Sequence, residues 1–159
     1  MSQGSKKSGK RLVTDAHAAV VDCAGLNARL AGGRIPRFLD ARLADTGLTL
    51  AQFGLMTRIA AARDDTIGAL AAQADLDPST LSRNLRALEQ AGLVEIAIVE
   101  KDLRRRAVWL TEQGARRLEA AMPVWRAAQA ALAKKVDPAR LRRLAAAAQS
   151  PSPAACRKP

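Results

Sequence analysis

Asp102, Arg104, Arg105 and Arg106 fall within EKDLRRRAVWLTEQG, residues 100–114, where an acid and three arginines give way to an apolar run. A guanidinium presents a planar fork of N–H donors that suits phosphate oxygens and the acceptor edge of guanine. An acid two residues before an arginine, as Asp102 stands before Arg104, can hold that side chain extended through a charge-assisted hydrogen bond. A second group lies upstream, in DPSTLSRNLRALEQ. Ser79, Thr80, Ser82, Arg83, Arg86 and Gln90 supply hydroxyls, guanidiniums and an amide, which donate to phosphates and base edges alike. Both groups point to a polyanionic partner.

The charge balance agrees. The 159 residues carry 26 Lys and Arg against 15 Asp and Glu, a formal net charge of +11, and the isoelectric point is about 11.0. That excess fits nucleic acid better than a membrane surface, because no helix pairs a basic face with bulky Phe, Trp or Leu. No apolar run approaches the roughly 20 residues needed to span a bilayer. The N-terminal MSQGSKKSGKR has no apolar stretch behind its lysines, so a cytoplasmic protein is expected. There is no Gly-rich phosphate loop, no GxSxG elbow and no paired-carboxylate pattern, so an enzyme is not expected. Cys23 and Cys156 cannot build a disulfide framework and lack the spacing of a zinc site. The single histidine, His17, reads as a surface helix residue. Neither a metal nor a cofactor is expected.

These groups need elements to hold them. The chain is 48% hydrophobic but only 3% aromatic, and its Ala, Leu and Val favour helix-on-helix packing. Residues 1–12 are Ser, Gly and Lys-rich and read as a disordered basic tail; residues 150–159, with three prolines, read as a loose tail. A first helix is expected from Ala16 to Ala44, broken near residues 32–36 by Gly32, Gly33 and Pro36. Thr49 caps a helix with Leu50, Phe53, Met56, Ile59 and Ala60 along one stripe. Asp65 or Thr66 caps a short helix carrying Ile67, Leu70 and Ala71. Asp77 and Pro78 open the next helix, Leu81, Leu85 and Leu88 form its buried stripe, and Gly92 stops it. VEIAIVE and RAVWLT then read as two short strands around a charged bend. A long helix with a Pro123 defect follows from Glu112, and a last helix is capped by Asp137 and Pro138.

Two short helices, a tight turn and a two-stranded hairpin make a winged helix-turn-helix, so the fold class is mainly α (α+β) with a β-wing flanked by terminal helices. At 100° per residue from Leu81, the side chains opposite the leucine stripe are Ser79, Arg83, Arg86 and Gln90, with Thr80 and Ser82 beside them. In such folds the second helix enters the major groove. Arginines on a rigid hairpin reach an adjacent minor groove, whose negative potential attracts guanidinium. One wing module reads too short a site for strong specificity; two-fold symmetric half-sites solve that, and the broad Ala/Leu faces of the terminal helices suit a homodimer.

GLVEIAIVEKDLRRRAVWLTEQG, with LAAQADLDPSTLSRNLRALEQAGLV before it, resembles the MarR family of bacterial transcription regulators. The matching pieces are Ser79–Arg83, Leu88–Val94 and Asp102–Gly114. The resemblance implies N-terminal dimerisation helices over 13–48, a DNA-binding winged helix over 49–113 and C-terminal dimerisation helices over 114–149. It implies a homodimeric repressor on a palindromic double-stranded DNA operator, relieved by a small aromatic or carboxylate effector or by thiol oxidation. DNA contacts are then expected from Ser79, Thr80, Ser82, Arg83, Arg86, Gln90, Asp102, Arg104 and Arg105.

Two switches follow from the resemblance. The first is Cys23, which lies roughly where hydroperoxide sensors of the family keep a reactive cysteine; those sensors support the thiolate with tyrosine, and this chain has none. A free cysteine on a helix is also often a small buried hydrophobe. The second is a ligand cleft between dimer helices and winged domain, bordered by NARLAGGRIPRF, where Arg29, Arg34 and Arg37 could meet a carboxylate. A winged-helix module that binds protein or RNA without an operator is the rival reading.

Overall fold

The computed structural model describes the backbone of residues 3–62, 67, 70–71, 78–99 and 102–147, and the side chains of residues 11–62, 67, 70–71, 79–97 and 106–147. Helix α1 spans Gln3–Asp22 and α2 spans Ala24–Leu43, followed by a 3-10 turn at Ala44–Thr46. Helix α3 is Leu50–Ala61 and α4 is Pro78–Gln90; Ile67, Leu70 and Ala71 between them are also helical. Strands β1 (Val94–Val99) and β2 (Asp102–Leu110) precede α5 (Glu112–Ala133) and α6 (Pro138–Ala147).

The first helical unit departs from expectation. The break falls at Cys23, with φ −67° and ψ 108°, and α2 runs unbroken through Gly32, Gly33 and Pro36. Proline removes one donor and crowds the carbonyl four residues back; that residue is Gly32, with open space around it. The helix beyond Pro36 is held by packing, since Leu39 joins Ala128 and Leu132 of α5 in a buried cluster flanked by Ile35 and Phe38. Helix α1 begins at Gln3, inside the stretch whose composition suggests a loose tail. Pro123 likewise sits inside an unbroken α5.

Thr49 closes a capping box with Gln52 at the start of α3. The Leu50 N–H donates to Asp40 Oδ1 at 2.6 Å, which ties α3 to α2. Arg117 of α5 donates to the Thr46 carbonyl at 3.2 Å and braces the same corner. On α3 the buried residues are Phe53, Leu55, Met56 and Ile59; Ala60, expected in the stripe, is exposed, and Leu55, outside the expected stripe, is buried. Leu70, Leu81, Leu85 and Leu88 complete one core with Leu93, Val94, Val108 and Leu118. The Phe53 and Trp125 rings stack at 5.7 Å within it. The expected caps at Asp65, Thr66 and Asp77 lie outside the described residues.

Candidate nucleic-acid interface

Helix α4 is anchored through its leucines. Leu81, Leu85 and Leu88 are at most 3% exposed, and burying each contributes about 1.5–3 kcal/mol. That anchoring turns the opposite face outward. Ser79, Ser82, Arg83, Arg86 and Gln90 are exposed and Thr80 is half-buried. Ser79, Ser82, Arg83, Arg86 and Gln90, with Ala87, line one open depression of about 480 Å³. Among the described residues the ion pairs are Glu112–Arg116 and Asp137–Arg140, so no described carboxylate neutralises Arg83 or Arg86. The face offers donors and positive charge to an incoming anion. Ala87 is the lining residue that residue-type reasoning passes over, because alanine carries no polar signal.

The wing differs in detail from the expected hairpin. Strand β2 starts at Asp102 and not at Arg106, so Asp102, Arg104 and Arg105 lie on the strand and not in its bend. The antiparallel register pairs Ile98 with Arg106 and then Val99 with Asp102. One step along β1 therefore faces four along β2, and Leu103, Arg104 and Arg105 are the additional residues. An irregularity of this kind bends the strand and re-aims its side chains. At the base, Val108 is buried beside Val94 in the core, whereas Trp109 is 38% exposed.

Arg29, Arg34 and Arg37 are all exposed on α2, and at 100° per residue Arg37 projects between the other two, about 80° from Arg29 and about 60° from Arg34. Cys23 is a free, exposed thiol at the junction of α1 and α2, so the burial expected of a helical cysteine is not found. His17 is exposed on α1. Among the described residues no group of His, Cys, Asp and Glu could hold a metal, and no helix is long and apolar enough to cross a membrane.

A leucine-anchored helix facing outward beside a two-stranded wing defines a winged helix-turn-helix protein. The model of the MarR family matches residues 46–105. Among solved structures, the chain resembles the Mycobacterium tuberculosis transcriptional regulator MosR in complex with DNA, at 34% identity and TM-score 0.71, covering 78% of this chain and 91% of that one. It also resembles a cysteine-to-serine mutant of Escherichia coli MarR complexed with operator DNA, at 24% identity and TM-score 0.73, covering 84% and 98%. A third likeness is the Staphylococcus aureus MepR–DNA complex, at 21% identity and TM-score 0.66, covering 77% and 91%. No curated protein sequence matches the chain. The chain belongs to the MarR family and is a DNA-binding transcriptional regulator.

Proposed function

We propose that this regulator is a homodimeric, non-enzymatic repressor in the bacterial cytoplasm. It binds an inverted-repeat operator through α4 and the wing and releases it on binding a small aromatic or carboxylate effector. The observation that carries the DNA reading is the single outward face of Ser79, Ser82, Arg83, Arg86 and Gln90 opposite three buried leucines. The dimer is supported by Leu12, Val20, Leu26, Leu30 and Leu144, which are 48–69% exposed on the terminal helices. Apolar surface of that extent on one chain favours association. Selection of bound sequences from random duplex DNA tests the reading. It should return a two-fold symmetric site; an asymmetric consensus, or preference for RNA, overturns it.

Arg83 projects from the early part of α4, where base edges lie closest to a recognition helix. Arg83→Ala is expected to cost about 1–3 kcal/mol on the operator, with a blurred preference at one position of each half-site. Binding measured on operator and random duplex separates the roles, since an equal loss on both marks a phosphate contact.

Asp102 and Arg104 give a test of sign. If Asp102 orients Arg104 toward a groove, Asp102→Ala weakens binding although it removes a negative charge. We expect that weakening, as a fraction of the Arg104→Ala loss, and a double mutant no worse than Arg104→Ala. Titration of the three variants against one operator at fixed salt decides it; tighter binding by Asp102→Ala leaves the arginines as general electrostatics.

A further inference from the structure

Thr111 joins the recognition helix to the helix that follows the wing. Its hydroxyl donates to the Gly92 carbonyl at 2.6 Å and accepts from the Gly114 N–H at 3.0 Å. One oxygen thus meets the chain leaving α4 and caps the start of α5. The Thr111 N–H also donates to the Leu93 carbonyl at 3.2 Å, one step beyond the last strand pair, Val94 with Leu110. On the other side, α4 ends with Leu93 N–H to Leu88 carbonyl and Gly92 N–H to Glu89 carbonyl, both 2.9 Å. Gly92 takes the left-handed φ of 68° that this ending requires. The Gly92 carbonyl lies beyond those helix-closing bonds, and Thr111 supplies its proton.

We propose that Thr111 is a positioning residue for DNA recognition, its hydroxyl fixing the angle of α4 against α5. The inference rests on the operator-binding reading above. A pivot at the C-terminal end of a rigid helix moves every side chain on its outward face together, so a small rotation misplaces Arg83 and Arg86 at once. Helix α5 continues from this joint to the cluster it forms with Leu39 of α2. The joint therefore lies between the terminal helices and the DNA-facing side of α4.

A helix cap alone needs only an acceptor at residue 111. Positioning through Gly92 needs the donor as well. Thr111→Ser keeps both. Thr111→Asp keeps the acceptor for Gly114 but, ionised, has no proton for the Gly92 carbonyl. The experiment measures affinity of the full-length protein for the selected operator and for random duplex at one salt concentration, with melting temperature alongside. Thr111→Ser should match wild type. Thr111→Asp should melt within a few degrees of wild type, yet its operator-to-random ratio should fall about tenfold, the scale of one lost hydrogen bond. Because the added charge weakens both duplexes, the ratio isolates positioning from electrostatics. The inference is overturned if Thr111→Asp keeps the ratio, if Thr111→Ser loses it equally, or if Thr111→Asp fails to fold, which would assign the hydroxyl to stability. A wild-type protein without operator preference would instead remove the operator reading itself.

Discussion

Replacing Gly114 by alanine is expected to lower the thermal midpoint by about 6–12 °C, corresponding to a cost near 3 kcal/mol. Gly114 is buried in the first turn of α5. A methyl group there overlaps the Leu93 carbonyl oxygen, with the carbonyl carbon at 2.8 Å and Cα at 3.2 Å. All three are backbone atoms of the segment between α4 and β1, so no side-chain rotation relieves the clash. Intrinsic helix propensity argues the other way, favouring alanine by about 1 kcal/mol. Steric overlap outweighs that preference, so the net sign is destabilising. Relief requires α5 to lift from Leu93, which stretches the bonds Thr111 makes to Gly92 and Leu93. Operator affinity should therefore fall together with stability. Circular dichroism melting checks the first part, and an unchanged or raised midpoint would show that propensity wins and that α5 approaches Leu93 less closely.

How much of this is legible in the sequence depends on how far apart the interacting residues lie. The leucine stripe of α4 follows from helical period alone, so the sequence by itself places Ser79, Arg83, Arg86 and Gln90 on its outer face. Thr49, Pro78 and Gly92 mark element ends through local backbone chemistry, and they do so in the structure. The departures have two causes. Pro36 and the two glycines before it weaken a helix locally, but the contact of Leu39 with Ala128 and Leu132 that holds α2 together joins residues far apart in the chain. The hairpin is local by comparison, but its register is set by cross-strand pairing and not by residue type, so the shift between Ile98 and Val99 is not read from the period of either strand. Arg117 finds the Thr46 carbonyl 71 residues away, with the same consequence. Thr111 is intermediate: its motif is visible in the sequence, but the bond to Gly92, 19 residues back, needs the fold.

Operator affinity is expected to fall about 10³–10⁵-fold between 50 and 200 mM salt, the response of a protein making about 6–10 phosphate contacts. The charge supports contacts on this scale, since each chain carries a formal +11. Under the proposed function Arg83, Arg86, Arg104, Arg105 and Arg106 recur in both subunits of a dimer, and any of them that meets a base edge instead of a phosphate adds nothing to the slope. Every cation that meets a phosphate releases condensed counterions, so log affinity against log salt should be linear with a slope near −0.9 per contact. The slope also sorts residues that affinity alone confuses. Arg104→Ala should make it shallower by nearly two in a dimer if the wing arginine meets one phosphate per half-site. Arg83→Ala should leave it almost unchanged while operator preference drops, because a base edge carries no condensed counterion. Fluorescence anisotropy on one operator across the salt range measures all three slopes. A flat wild-type line would contradict the nucleic-acid reading directly, and a steep line shared by operator and random duplex alike would leave this regulator with charge but no sequence readout.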